Sequence, residues 1–507
     1  MASGEVGSQM SGGVMSAIVD PVVRDRAARR LGRAGVRLPT FAELADPVRI
    51  PQARKTALRS VDPDRPEPAN LFRVHWYNDW PRTGLAATPR HLLLPPDLTG
   101  VRAPIVMALG CLFPMIGAHK VLAAYGCLIP YLVTGRFDPS LHKAVWPSTG
   151  NFCRGGIAIS RILGCRGIAV LPAGMSEERF AWLRSWTTRP EDIIRTPGSE
   201  SNVKEIYDKC AELARDPANV VLNQFAEFGN YIAHYACTGP ALARIFEALR
   251  SKRPSLRPTA FVAASGSAGT LAAGDYLKEE FGSHIVAVEA SECPTLLRNG
   301  FGEHNIQGIG DKHVPYIHNV MNTDIVVGVS DRGTGALDLL FNSKAGLSYL
   351  ADRRHLDTEL LLRLQAIGLS SIANLVAAIK IAKRLELGED DAIVTLATDS
   401  AALYTSERRK FLAAHYPDAF DMVSAGEIFG QHLLGAADND VLELTHNERS
   451  RIFNLGYYTW VEQQGVPLEA FEQRRRRGFW EELWQAAPAW DALIAEFNAA
   501  AGSEKGP

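Results

Sequence analysis

The stretch Phe261-Val262-Ala263-Ala264-Ser265-Gly266-Ser267-Ala268-Gly269-Thr270 decides the fold class. Four apolar residues run into a turn of glycines and small residues, and the turn opens onto the helical stretch Leu271 to Phe281. A strand that feeds a helix through such a turn is the repeating unit of an α/β protein. Main-chain N–H groups of a glycine-containing turn at a helix start can also converge on an anion. Gly266 and Gly269 let the backbone come close, Ala268 adds little bulk, and Ser265, Ser267 and Thr270 add hydroxyl donors. Taken alone, an ordinary strand-to-helix connection explains these residues equally well.

The same alternation recurs on both sides. Ala103 to Leu109, Ala144 to Trp146, Gly167 to Leu171, Ile285 to Glu289 and Ala392 to Ala397 read as strands. Lys120 to Ile129, the stretch after Asn151 through Leu163, and Glu177 to Trp186 read as helices, the first stopped by Pro130. The pattern predicts a mostly parallel sheet, whose ligands sit beyond the carboxyl ends of the strands. Before about residue 95 a helix near Val22 to Leu31, a Pro-rich connection from Asp62 to Pro68 and the aromatic segment His75 to Trp80 are expected, the last as a packing cluster or subunit contact. From about Ser424 the strand signal stops, and Trp460, Phe479, Trp480, Trp484 and Trp490 recur in helical segments. Three units follow: an extension over 1–95 with a disordered leader at Met1 to Ser16, a core over 96–423 with a smaller unit inserted at about 141–234, and a helical tail over 424–507.

Composition bounds the function. Of 507 residues, 46% are apolar and 22% charged, the profile of an ordinary globular chain long enough for two or three packed units. A net charge of −2 offers no footprint for nucleic acid. The cluster Arg474 to Arg477 reads as a solvated, salt-bridging helix face. Seven cysteines without C-x-x-C spacing argue for a reducing, cytoplasmic setting and against a zinc site. Cys153 sits at an expected helix start, where a thiol pKa can fall, but packing is its favoured role. No run of ~18 apolar residues suggests a membrane span.

Two more motifs carry chemistry. Pro147-Ser148-Thr149-Gly150-Asn151 is a second turn between a strand and a helix. Ser148, Thr149, Gly150 and Asn151 could hold a substrate carboxylate, though a plain helix N-cap has the same composition. Lys120 ends the run Gly117-Ala118-His119-Lys120 and is followed by the apolar residues Val121 to Tyr125. Desolvation there favours a lowered pKa and a nucleophilic amine, and His119 beside it could contact a phosphate. Lys143, Lys204 and Lys344 have more polar neighbourhoods. A reactive amine, an anion cradle, a carboxylate turn and the hydroxyl of Thr398-Asp399-Ser400 are the set a pyridoxal phosphate enzyme needs.

These motifs resemble, in order, those of the fold type II pyridoxal phosphate enzymes: cysteine synthase, cystathionine β-synthase and the tryptophan synthase β subunit. Gly117-Ala118-His119-Lys120 is similar to the lysine motif of the tryptophan synthase β subunit. Ser148 to Asn151 with Gly155-Gly156-Ile157-Ala158 resembles the substrate loop of cysteine synthase. Asn223-Gln224-Phe225, His234-Tyr235 and Thr238-Gly239-Pro240 resemble its "NQ(F/Y)…HY…TGP" segment, and Ile306-Gln307-Gly308-Ile309-Gly310 its "IQGIG" loop. Thr398-Asp399-Ser400 resembles the "PDS" turn of cystathionine β-synthase. The resemblance spans about 100–410 and implies two three-layer αβα units with mostly parallel sheets. It implies Lys120 as the Schiff-base lysine, the loop Ser265 to Thr270 as the phosphate cradle, Asn151 at the cofactor's phenolic oxygen and Ser400 at its ring nitrogen. Gln224 and Gly308 join the substrate turn.

The family resemblance implies β-elimination or β-replacement through an aminoacrylate, on a small amino acid such as serine, an O-acylserine or cysteine, by a homodimer. An ammonia-lyase or desulfhydrase uses the same set, and a catalytically silent binding or regulatory subunit is the alternative from another class. Departures mark a divergent relative. Val121-Leu122 replaces the Asp-Arg that follows the lysine in cysteine synthases. Ser148 stands where tryptophan synthase β subunits carry glutamate, and Ile372 takes the place of the last glycine of "GISSG".

Overall fold

The computed structural model describes residues 16–502; the expected disordered leader lies outside them except for Ser16. Eleven strands among the described residues form two sheets. The larger has the order β1-β2-β10-β7-β8-β9-β11, and the smaller the order β5-β4-β3-β6. Their ranges are β1 His91–Leu94, β2 Ile105–Leu109, β3 Lys143–Pro147, β4 Arg166–Pro172, β5 Ile193–Thr196, β6 Asn219–Val221, β7 Arg257–Ala264, β8 His284–Ala290, β9 Ile325–Val329, β10 Asp391–Ala397 and β11 Val441–Glu443. The pairs β2/β10, β10/β7, β7/β8 and β8/β9 are parallel, while the edge strands β1 and β11 run antiparallel. All pairs of the smaller sheet are parallel.

The sequence of the central strands explains this arrangement. Ile105–Leu109 and Ile325–Val329 are buried at every residue. A strand covered on both faces has no reason to alternate polar and apolar residues. Short strands escape the pattern. β5, β6 and β11 have three or four residues, many only half-buried, and their apolar runs of two or three residues are too short to announce a strand.

Three expectations need correction. Pro130 does not stop its helix, which runs Lys120–Val133. Its carbonyl accepts the Thr134 N–H at 3.2 Å and the Thr134 hydroxyl at 2.7 Å, and burial of Tyr131, Leu132 and Val133 favours the extra turn. The tail is not strand-free, because Val441–Glu443 pairs with β9. It packs its tryptophans on the chain's own core, with Trp460, Trp480 and Trp490 buried and Trp484 half-buried. Trp460 Nε1 donates to the Val314 carbonyl at 2.7 Å, and Trp484 stacks on Tyr235 at 4.9 Å. Arg474 departs from the expected solvated face. It is 3% exposed, donates to the Tyr316 carbonyl at 2.6 Å, and lies over the Tyr316, Phe453 and Phe471 rings. Arg475 and Arg477 do form ion pairs, with Glu472 and with Glu279 and Glu481. No single described helix is long and apolar enough to cross a membrane.

Candidate active site

The chemistry-bearing loops meet at the carboxyl ends of the large sheet. Ser265 to Thr270 follows β7, Thr398 follows β10, and the helix that begins at Lys120 follows β2 after the short turn Gly110–Leu112. The 265 loop is tied down on both sides. Ser265 N–H donates to Val288 O at 2.8 Å, and Gly310 N–H donates to Ser265 O at 2.9 Å. The cleft between them is walled by His119, Lys120, Gly266 to Ala268, Thr270, Gly308, Ile309, Asn374 and Thr398, among others.

Lys120 Nζ donates to Ser267 Oγ at 2.9 Å and to Gln224 Oε1 at 3.1 Å. Burial pulls its pKa down to about 8, against the opposing pull of Asp311, Cys127 and Glu200. About a tenth of the amine is therefore neutral at pH 7, far more than for an ordinary lysine. Asn230, which the sequence reading did not single out, braces the same point. Its amide donates to Ser267 Oγ at 3.0 Å and to the Gln224 carbonyl at 2.9 Å.

The glycines of the loop earn their place by close approach. A Cβ on Gly266 would stand 2.5 Å from the Gly308 carbonyl oxygen, and one on Gly269 would stand 2.3 Å from Asn230 Oδ1. The left-handed residue of the turn is Ala268, at φ 64°. A non-glycine residue held there is a local strain that the surrounding bonds must support.

His119 is 1% exposed and stacks on Trp76 at 5.8 Å, with His234 edge-on at 5.1 Å. Trp76 is 2% exposed and packs behind His119, the packing role expected of this aromatic segment. Burial and the neighbouring Lys120 lower the His119 pKa to about 3, so its ring is neutral. Neither His119 ring nitrogen has a hydrogen-bond partner among the described residues, nor does Asn374 Oδ1. Buried polar atoms facing a cleft call for a polar occupant.

The turn Ser148 to Asn151 stands apart from this wall. Ser148 Oγ accepts the Gly150 N–H at 2.8 Å. Asn151 donates to Asp399 Oδ2 at 2.5 Å and accepts from Arg154 Nη1 at 2.8 Å. It opens the helix Asn151–Ile162, but its side chain is spent on these partners. Ser400 is half-buried, and the cleft wall reaches only Thr398 of its turn. Cys153 is a packing residue. Burial pushes its thiol up to about 12, and Sγ bonds the Gly150 carbonyl at 2.9 Å.

The structure adds a polar network that no local motif announces. Arg179 and Asp399, both fully buried, lie 3.7 Å apart. Tyr404 OH donates to Asp399 at 2.7 Å and accepts from Arg179 at 2.9 Å, while Arg179 also donates to Gln307 Oε1. Two further carboxyls approach Lys120. Glu200 Oε1 accepts the Gly308 N–H at 2.8 Å, and burial raises its pKa to about 7. Asp311 is raised well above the usual range, by burial and then by Glu200. Arg179 comes from the helix Glu177–Trp186, Glu200 from the loop after β5 and Asp399 from the end of β10, so only folding joins them.

Comparison with known proteins identifies the family. Residues 100–399 match the family model described as pyridoxal-phosphate dependent enzyme. Cysteine synthase B of Campylobacter jejuni is 33% identical over 259 residues, covering 50% of this chain and 75% of that protein. Cysteine synthase 3 of Caenorhabditis elegans is 31% identical over 298 residues, covering 57% and 76%. The solved O-acetylserine dependent cystathionine beta-synthase from Helicobacter pylori superposes with a TM-score of 0.51 at 25% identity, covering 63% of this chain and 95% of that one. The chain belongs to the pyridoxal-phosphate dependent enzyme family, and pyridoxal phosphate is its cofactor. The residues present fit that group: an amine, a turn of main-chain N–H groups, and buried ring nitrogens without partners.

Proposed function

We propose that this enzyme of the pyridoxal-phosphate dependent family carries out β-elimination or β-replacement on a small amino acid of the serine, O-acylserine or cysteine kind. The relatives named cysteine synthase support this reading. The observation that carries it is the Lys120 amine, held at 2.9 Å from Ser267 in the glycine turn and depressed to about pKa 8.

When bound, pyridoxal phosphate supplies an aldehyde for an amine and a sink for negative charge developing at the substrate's α carbon. Lys120 would hold the cofactor through Nζ and carry the proton to and from the α carbon. The N–H groups and hydroxyls of Ser265 to Thr270 would take the phosphate, with His119 as a neutral neighbour. Ser148 to Asn151 would take the substrate carboxylate, with Asn151 turning from Asp399 toward the cofactor. Ser400 would face the ring nitrogen. A hydroxyl there cannot stabilise a ring cation as a carboxylate would, which suits elimination better than transamination. Gln224 and Gly308 would complete the substrate side, and closure around them would exclude water. A homodimer belongs to the same proposal, and light scattering that gives the mass of one chain would remove it.

The test is spectral and chemical. Purified holoenzyme should show a visible band that responds to serine, O-acetylserine or cysteine, and borohydride should trap the cofactor on Lys120. Lys120→Ala should lose both. Persistence of the band in that variant, or silence of the native enzyme toward every amino acid tried, would overturn the reading.

A further inference from the structure

We propose that the cleft between the amino-terminal segment and the helix Gly239–Arg250 is a second ligand site, which takes a small organic anion bearing a phosphate or carboxylate and signals its presence to Lys120 through His75-Trp76-Tyr77. The cleft encloses about 360 Å³, within the range of small-molecule sites. All of its wall except Arg244 precedes the stretch matched by the family model.

Its chemistry is cationic. Lys55, Arg59, Arg73 and Arg244 line it, against the single carboxylate of Asp46. Asp46 is already engaged, accepting the Val48 N–H at 3.3 Å and facing Arg49 at 3.8 Å. Arg59 and Arg244 are exposed, and neither side chain has a hydrogen bond or ion pair among the described residues. Arg73 is 1% exposed and braced from behind by the carbonyls of Leu58 and Val61 and by Asn70. Tyr77 is 6% exposed and lines the same cleft, yet its phenol has no partner among the described residues. Two free guanidinium groups beside a buried neutral phenol suit an oxyanion, which takes bidentate bonds from arginine and a further bond from O–H.

The floor of the cleft is also the roof of the active site. Tyr77 faces the cleft, while its neighbour Trp76 stacks on His119, the residue before Lys120. Tyr77 N–H donates to His75 Nδ1 at 3.1 Å, which stiffens the segment. Trp76 Nε1 donates to Thr238 Oγ1 at 2.9 Å, and Thr238 bonds His234 Nδ1 at 2.8 Å. Thr238 directly precedes the helix that carries Arg244. Both walls of the cleft therefore end on rings packed around His119. A ligand that draws Tyr77 and Arg244 together acts on that packing, and occupancy of either site changes affinity at the other.

The test is calorimetric titration of the holoenzyme with pyrophosphate and, separately, with succinate, at fixed ionic strength, while the cofactor's visible band is followed. Saturable binding of one equivalent per chain by either probe is expected, and the probe that binds identifies phosphate or carboxylate as the recognised group. The exposed pair R59A/R244A should weaken binding by about tenfold or more. Trp76→Phe should still bind but lose the spectral response. No saturable binding of either probe, or unchanged affinity in R59A/R244A, overturns the site. An unchanged spectral response in Trp76→Phe overturns the coupling.

Discussion

At the residue scale, the environment of Lys120 sets the reactivity of its amine. An amine with a pKa of about 8 gains its nucleophilic form as pH rises through 8, more than two units below an ordinary lysine. The rate at which apoenzyme captures pyridoxal phosphate should rise through that range, and a stopped-flow series from pH 6 to 10 checks it. A rate still climbing only near pH 10 would contradict the depressed value. Glu200 offers the opposite case. Its folded pKa of about 7 lies above the unfolded value of 4.5. Below 4.5 both states hold the proton and burial carries no ionic cost. Between 4.5 and 7 only the unfolded state releases it, so this group subtracts stability as pH rises. Glu200→Gln keeps an acceptor for the Gly308 N–H and cannot ionise. It should match the native enzyme at pH 4.5 and exceed it at pH 8 by up to about 3 kcal/mol, read from denaturant unfolding.

At the scale of elements, close backbone approach decides which glycines are replaceable. The helix Lys120–Val133 crosses Phe228–Ala233 with Gly126 facing Gly229. A Cβ on Gly126 would lie 2.4 Å from the Gly229 carbonyl oxygen, and one on Gly229 would lie 2.3 Å from that of Gly126. Gly126→Ala should cost about 1–3 kcal/mol, because a backbone oxygen cannot turn aside as a side chain can. Since Lys120 begins the first helix and Gln224 precedes the second, the same change should weaken cofactor retention in dialysis. In the 265 loop the prediction runs the other way. Ala268→Gly relieves a left-handed alanine and should raise apoenzyme stability by about 1 kcal/mol, measured by thermal unfolding.

At the scale of the molecule, the segments on either side of the family-matched stretch close on each other and on the helix that begins at Lys120. Phe41 packs on Tyr125 at 5.9 Å and on Trp490 at 5.6 Å, and Tyr125 OH donates to the Pro39 carbonyl at 2.5 Å. Asp491, near the carboxyl end, accepts the N–H groups of Phe41 and Ala42 at 2.6 and 3.0 Å and so caps a helix 450 positions earlier. Asp491→Ala should lower stability by about 1–2 kcal/mol, as the loss of a helix cap does. Limited proteolysis should then cut first in the segment around Phe41. Equal protease resistance in the variant would show that the extensions are held without this carboxylate.

The sequence by itself determined the α/β class, the cofactor and the order of the loops around it, because each is written in a local pattern: an apolar run, a glycine turn, a lysine before an apolar helix. It also located most central strands to within a residue or two. Only the tertiary structure decided that Asp399 holds Asn151, that Trp76 stacks on His119, that Arg474 is buried, and that Glu200 and Asp311 hold their protons to higher pH than free side chains do. Those facts depend on desolvation and on contacts across 100 residues or more, as between Lys120 and Gln224 at a separation of 104, and no local pattern encodes such a meeting.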